Sequence, residues 1–245
     1  MTADRASFGL VASPFLGAST WAGVARALRA MGRGAVTLEG GARAPDWRGD
    51  AGARAAAALS ALGDPLVVAL HSAAGGLAEA LFAALAGRAA SFVFVDAILP
   101  HPGRSWLQTA PGGLARRIRE RARDGLAPPW SKWFGKGVIE RALPEEATRA
   151  AFLASLPRVP LAFLEEPAPS AFAGEAEPGC TLVAPIPPRA CGYLRLSDGY
   201  IAEAREAERR GWRVESADLG HLAMITDPRI VAERLVELAD ALAKG

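Results

Sequence analysis

Residues 66–76, Leu66-Val67-Val68-Ala69-Leu70-His71-Ser72-Ala73-Ala74-Gly75-Gly76, decide the fold of this chain. Five apolar residues in succession are typical of a strand that is buried on both faces of a parallel sheet. The small residues after them predict a tight turn, and the Ala/Leu-rich run 77–85 predicts a helix. The nearly uncharged interval 65–87 is long enough to span a bilayer, but this strand, turn and helix pattern favours a packed α/β unit instead.

The segments on either side of residues 66–76 repeat the same alternation. Further short apolar strands are predicted at 8–12, 35–38, 91–95, 191–196 and 212–215. Helices are predicted between them at 21–31, 50–62 and 200–210, and an amphipathic helix begins at Asp227-Pro228. Strands that alternate with helices indicate a mostly parallel sheet of about six strands with helices on both faces.

The alternation is interrupted between residues 97 and 190, where proline becomes frequent and three tryptophans occur. An insertion of this length is either a functional lid or disordered, and its aromatic and apolar content favours a folded helical lid. The sequence therefore predicts a core formed by residues 1–96 and 191–245. Residues 97–190 form a lid or cap, inserted before the penultimate strand.

The composition excludes several functional classes. The 245 residues carry a net charge of +2 and are 51% apolar, which gives no support to a nucleic-acid groove or to a membrane-binding patch. The cysteines, Cys180 and Cys191, have no metal-ligand partners nearby, so neither a metal nor another cofactor is expected. Residues 1–9 lack a secretory pattern, which predicts a cytoplasmic protein. A reduced sheet also leaves an edge that a homodimer would cover.

A serine on a sharp turn between a strand and a helix is suited to nucleophilic catalysis, because its hydroxyl projects above the sheet. Here the chain resembles the α/β-hydrolase superfamily, whose nucleophile turn usually reads Gly-His-Ser-x-Gly-Gly. This sequence has Leu70 and Ala74 at two of those glycine positions. The resemblance covers nearly the whole chain and implies a small serine esterase-like or thioesterase-like member with Ser72 as nucleophile.

The same resemblance implies the rest of a catalytic triad. His221, in Asp218-Leu219-Gly220-His221, lies after the last strand, where the superfamily carries its general base. Two aspartates are candidates for the acid. Asp198 follows the penultimate strand and is preferred, and Asp96, after the strand that precedes the lid, is the alternative.

The oxyanion hole is expected to consist of two backbone N–H groups, from Phe15 in the loop after the first strand and from Ala73 after the nucleophile. Pro14 has no N–H to contribute. The predicted substrate pocket consists of lid residues: Trp106, Trp130, Trp133, Phe134 and His101. The aromatic residues among them equally fit a second interpretation, as the core of the lid itself.

The resemblance thus implies a serine acyl-transfer enzyme that acts on a small-molecule or carrier-bound acyl substrate. Water completes ester or thioester hydrolysis, or another nucleophile completes acyl transfer or cyclisation, in some relatives within natural-product pathways. The alternative is a non-hydrolytic scaffold of the same fold that binds a ligand or shapes an intermediate. Leu70 and Pro14 are the features that favour this alternative.

Overall fold

The computed structural model describes residues 5–41, 47–85, 88, 90–168, 186–187 and 190–244. Six strands in these residues pair in parallel within one sheet, in the order β2-β1-β3-β4-β5-β6. The strands are β1 (Ser7–Val11), β2 (Ala35–Leu38), β3 (Leu66–His71), β4 (Ala90–Val95), β5 (Cys191–Arg195) and β6 (Arg213–Ser216). Every residue of β3 is buried, as its uninterrupted apolar run predicts.

Helices cover both faces of this sheet. They are α1 (Ala22–Ala30), α2 (Trp47–Leu59), α3 (Ala78–Ala84), α9 (Ile201–Arg209), α10 (Ala223–Thr226) and α11 (Pro228–Leu242). Helix α1 packs against α11, and α2 packs against α3. Because β1–α1–β2 and β2–α2–β3 run in opposite directions across the sheet, right-handed crossovers place α1 and α2 on opposite faces.

In the described residues between β4 and β5, five short α-helices form the lid. They are α4 (Trp106–Thr109), α5 (Leu114–Arg121), α6 (Val138–Ala142), α7 (Glu146–Ser155) and α8 (Leu161–Glu165). The side chains of Leu114, Ile118, Phe152 and Phe163 are buried among these helices, so the lid has an apolar interior.

The strand order reverses between β1 and β3. The chain moves from β1 to β2 on one side, returns to β3 on the other side of β1, and then continues away from it. In parallel sheets the crevice for ligands lies at the carboxyl ends of the strands, at such a reversal. Ser72 follows β3 and the loop with Phe15 follows β1, so both lie at this crevice.

The predicted fold class is confirmed, with six parallel strands, helices on both faces and a helical lid before the penultimate strand. The described part of the interval 65–87 does not form a membrane span but divides into β3, a 3-10 turn and α3. Within the described ranges, no helix has the length and apolarity needed to cross a membrane. Cys180 and residues 169–185 of the predicted lid lie outside the described residues, and Cys191 is buried in β5.

Candidate active site

Ser72 occupies a strained turn at the carboxyl end of β3. Its φ angle is +56°, in the left-handed region that residues with a Cβ rarely adopt, and a 3-10 turn (Ser72–Leu77) begins at this residue. Leu70 does not displace the turn, because it lies within β3 in register with Val11 and Phe94 and is fully buried. The sharp strand-to-helix turn that a nucleophilic serine requires is therefore present.

The backbone after β4 leaves room for only a glycine at position 75. A Cβ built on Gly75 would lie 1.9 Å from the carbonyl oxygen of Ile98, and the Ile98 N–H donates a hydrogen bond to the Ser72 carbonyl. The turn that holds Ser72 is thus fixed against the chain segment that begins with Asp96.

His221 lies in the loop after β6 and is paired with Asp96. Its Nδ1 is 2.9 Å from Oδ2 of Asp96, whose side chain is completely buried. Since a carboxylate accepts, Nδ1 carries the proton, and Nε2 is left with a lone pair. This is the tautomer that a general base for serine requires.

Asp96 is held in its position by the start of the loop after β5. The backbone N–H groups of Leu196 and Ser197 donate to Oδ1 at 2.8 and 3.0 Å, and the Ser197 hydroxyl donates to Oδ2 at 2.5 Å. Burial raises the pKa of this carboxyl, but the hydrogen bonds from His221 and Ser197 outweigh burial and hold the pKa below its usual range. Asp96 is therefore ionised at neutral pH.

The preference for Asp198 as the acid is wrong. The Asp198 side chain is 90% exposed, and its carboxylate pairs with Arg195 at 3.2 Å rather than with His221. Asp96, the alternative candidate, is the aspartate that contacts the imidazole. The reason is a backbone bend: Asp96 has a φ of +43°, which ends β4 abruptly at the position where its side chain meets the loop after β6.

His71 supports the loop that carries His221. Its Nε2 donates to the His221 carbonyl oxygen over 3.0 Å, and the two rings lie 4.6 Å apart. Complete burial, followed by the proximity of His221, lowers the pKa of His71 to about 3, so this ring is neutral at neutral pH. His71 thus connects β3 to the loop that carries His221 through a hydrogen bond.

Tyr200 contacts both Ser72 and His221, and the sequence analysis did not identify it as a site residue. Its hydroxyl oxygen lies 3.3 Å from Ser72 Oγ, and its ring stacks on the imidazole at 5.1 Å with an interplanar angle of 7°. Among the residues the structure describes, Tyr200 is the hydrogen-bond partner of the Ser72 hydroxyl. The only signal for it in the sequence was its position just after β5, at the carboxyl edge of the sheet.

The two predicted oxyanion donors lie at the carboxyl ends of adjacent strands. Ala73 is the second residue of the 3-10 turn, so its N–H has no partner within that turn. The Phe15 N–H makes a long hydrogen bond of 3.4 Å to the buried Ser13 hydroxyl, which an oxyanion would have to replace. Their role as an oxyanion hole stays a prediction.

The aromatic residues of the lid lie against the two sides of this site. Trp130 stacks over His221 with ring centres 6.0 Å apart, and the ring of Phe134, which is 39% exposed, lies 4.8 Å from Trp130. Trp106 and Trp133 pack edge-to-face on Phe15 at 4.8 and 4.6 Å. These four side chains therefore border the base on one side and the loop after β1 on the other.

His101 has different surroundings from the tryptophans. It is buried, with Nδ1 on the Leu99 carbonyl oxygen at 3.1 Å and Nε2 beside the Arg48 guanidinium at 3.3 Å. Arg48 also donates to the Gly76 carbonyl, and burial above all lowers the pKa of His101 to about 4. A neutral histidine in this place packs beside Gly76 in the turn after Ser72. Its part in a substrate pocket stays a prediction.

A cavity of about 290 Å³ opens between the loop after β1 and the lid. It is lined by Pro14, Gly17, Glu39, Gly41, Arg54 and by lid residues from Ser155 to Phe163. Neither Ser72 nor His221 lines it, so it borders the predicted oxyanion loop without containing the reacting groups. In the described part of the chain, no group of three or more His, Cys, Asp or Glu residues is arranged to hold a metal ion.

No protein-family model matches the chain, and no curated protein matches it. Solved structures do match it over nearly its whole length. An extracellular α/β-hydrolase from a Paenibacillus species is 18% identical, with a TM-score of 0.69 and coverage of 96% of this chain and 98% of that one. Tomato methylketone synthase I with 2-tridecanone is 14% identical, with a TM-score of 0.67 and coverage of 97% and 99%. Polyneuridine aldehyde esterase is 14% identical, with a TM-score of 0.66 and coverage of 96% and 100%. The resemblance seen in the sequence is thus borne out, and this chain has the α/β-hydrolase fold.

Proposed function

We propose that this protein is a serine acyl-transfer enzyme that hydrolyses esters through Ser72, His221 and Asp96. The observation that carries the proposal is the 2.9 Å contact between His221 Nδ1 and the buried Asp96 carboxylate. This contact fixes the imidazole tautomer with Nε2 free to accept a proton. Tyr200 contacts both Ser72 and His221, which supports assigning the hydroxyl and the imidazole to one site.

The reaction follows from these positions. Ser72 Oγ attacks the carbonyl carbon of the ester while His221 Nε2 takes the hydroxyl proton, and the carbonyl electron pair becomes an oxyanion. The N–H groups of Ala73 and Phe15 stabilise that charge, and each donor contributes about 3 kcal/mol to the transition state. The intermediate collapses, the leaving group takes the proton from Nε2, and water then releases the acid from the acyl-enzyme.

The substrate in this proposal is an acyl group, on a small molecule or on a carrier, that passes the aromatic residues of the lid. Trp130 and Phe134 offer apolar surface beside the base, which suits an apolar or aromatic acyl chain. The name of polyneuridine aldehyde esterase agrees with ester chemistry on this fold, and the Paenibacillus protein is described as a hydrolase. Thioester hydrolysis, acyl transfer and cyclisation share the same acyl-enzyme. A cytoplasmic location and a homodimer stay predictions from the sequence.

A second candidate function is a non-hydrolytic scaffold, and one observation favours it. The hydroxyl of Ser72 is bonded to Tyr200 in this structure, so a ligand could be held below the lid without forming a bond to the serine. The two candidates differ in whether Ser72 is chemically activated.

Labelling with a fluorophosphonate tests this difference, because the reagent forms a stable adduct only with an activated serine. We expect intact-mass analysis to show one adduct on the wild type and none on Ser72→Ala. Ser60→Ala is the matched control, since Ser60 is exposed and bonded to the Ala57 carbonyl, and it should label like the wild type. A folded wild type that takes no adduct, or an adduct that persists in Ser72→Ala, would contradict the proposal and favour the scaffold.

A further inference from the structure

The hydroxyl of Tyr200 lies beside the hydroxyl of the proposed nucleophile, Ser72. It is 3.3 Å from Ser72 Oγ, and its ring is nearly parallel to that of His221. Burial is the main cause that raises the pKa of this hydroxyl well above its usual range, so it keeps its proton at neutral pH and can donate. The Tyr200 hydroxyl is thus a protonated donor beside Ser72, and the mechanism of the triad does not use it.

The strand order shows which side of Ser72 the hydroxyl occupies. Phe15 follows β1, on one side of β3. Tyr200 follows β5 and His221 follows β6, both on the other side of β3. Phe15, one of the two predicted oxyanion donors, and the tyrosine therefore follow strands on opposite sides of β3. The side shared with His221 is the one on which the leaving group receives its proton.

We propose that Tyr200 is a catalytic residue that donates a hydrogen bond to the leaving-group oxygen and so favours oxygen esters over thioesters. The inference rests on the proposed function and deepens it, because it names the substrate class. An ester oxygen gains negative charge as its bond to carbon breaks, and it accepts a hydrogen bond well. The sulfur of a thioester is a weak acceptor and gains little from the same donor.

The protons and electron pairs balance without any further reactant. Ser72 Oγ forms a bond to carbon, and its proton moves to His221 Nε2. When the tetrahedral intermediate collapses, the bond from carbon to the leaving oxygen breaks, and its electron pair stays on that oxygen. The oxygen takes the proton from Nε2, while Tyr200 stabilises the developing charge and keeps its own proton.

The test compares wild type and Tyr200→Phe on leaving groups of different basicity. The acyl group is chosen first: the p-nitrophenyl esters of acetyl, butyryl and octanoyl groups are compared, and the acyl group of the ester that the wild type hydrolyses fastest is used. Its p-nitrophenyl, phenyl and ethyl esters and its S-ethyl thioester are then assayed for kcat/KM. We expect Tyr200→Phe to lose about 10-fold to 100-fold on the ethyl ester, the effect of one hydrogen bond to a charged group. On the p-nitrophenyl ester and the thioester it should lose less than about threefold.

Tyr193→Phe is the matched control, since it deletes the only other tyrosine hydroxyl in the chain. That hydroxyl bonds to the backbone of Ala97, so its loss should act equally on all four substrates. An equal loss in Tyr200→Phe on esters and thioester, with an unchanged dependence on leaving-group basicity, would show a structural role and overturn the inference. Unchanged activity of Tyr200→Phe on all four substrates would also overturn the inference. If the wild type neither labels with fluorophosphonate nor hydrolyses any ester, the proposed function fails and this inference fails with it.

Discussion

Replacing Asp96 by Asn tests the candidate triad most directly, because it changes one atom in the hydrogen-bond network of His221. Oδ1 of an asparagine can still accept from the N–H groups of Leu196 and Ser197, so the loop after β5 keeps its anchor. The amide NH₂, however, replaces the oxygen that accepts from His221 Nδ1 at 2.9 Å. Two donors would then face each other.

The imidazole relieves this conflict by moving its proton from Nδ1 to Nε2, and Nε2 can then no longer accept the proton of Ser72. A wrong tautomer of this kind lowers the rate by about 10³-fold to 10⁴-fold. That decrease corresponds to about 4 to 5.5 kcal/mol of activation free energy. The change also removes the acceptor of the Ser197 hydroxyl, which we expect to cost about 1 to 2 kcal/mol of stability.

The assay is the rate of hydrolysis of a p-nitrophenyl ester together with the rate of fluorophosphonate labelling. Asp198→Asn is the matched control. That carboxylate is 90% exposed and forms a surface ion pair with Arg195, so less than about a twofold change in rate is expected. Thermal melting must show that both variants are folded. An Asp96→Asn protein that is folded and nearly as active as the wild type would refute the reasoning, as would an equal loss in Asp198→Asn.

Two further predictions concern stability. His71 has a pKa of about 3 in the folded protein and an ordinary pKa when unfolded, so only the unfolded state binds its proton between about pH 6.5 and 3. Stability from this residue is complete above that window and falls with pH by up to about 1.4 kcal/mol per pH unit. The free energy of unfolding in urea should therefore fall more for the wild type than for His71→Gln between pH 7 and pH 4. An equal decrease in the two proteins would disprove the lowered pKa of His71. Gly75→Ala should lose about 2 to 3 kcal/mol in the same assay, because its Cβ would meet the Ile98 carbonyl oxygen at 1.9 Å. Gly63→Ala is the control and should lose no such stability, because there is open space around position 63. Equal stabilities of the Gly75→Ala and Gly63→Ala proteins would show that the turn after Ser72 can shift.

Much of the fold could be predicted because its signals are local. A short, uninterrupted apolar run such as 66–70 is typical of a strand that is buried in a parallel sheet. The break in the alternation of strands and helices at 97–190 indicated the lid. Ser72 and His221 could be named for a related reason. The resemblance places a nucleophile and a general base after particular strands, and the order of the strands along the chain was readable. Both roles stay predictions.

The choice between Asp96 and Asp198 depended on information that the sequence does not contain. Both aspartates follow strands that are neighbours in the sheet, so both end at the same edge. What separates them is the backbone: a φ of +43° directs Asp96 into the interior, where Leu196 and Ser197 donate to it. The contacts of Tyr200 with Ser72 and His221 were hidden for the same reason, since a stacking angle of 7° arises only from the folded loops.

The lid residues show that the two interpretations of their aromatic side chains are compatible. Trp130 packs against Phe152 of α7 and Phe134, as a core residue of the lid would, and it also stacks over His221. One ring therefore belongs to the interior of the lid and to the wall of the site. Because His221 lies between Trp130 and Tyr200 without a covalent tie to either, its alignment with Ser72 depends on how the lid packs. In the proposed reaction, an acyl group that approaches along the exposed ring of Phe134 would meet His221 beside Trp130. The lid would then contribute both an apolar binding surface and the packing that holds the proposed base in place.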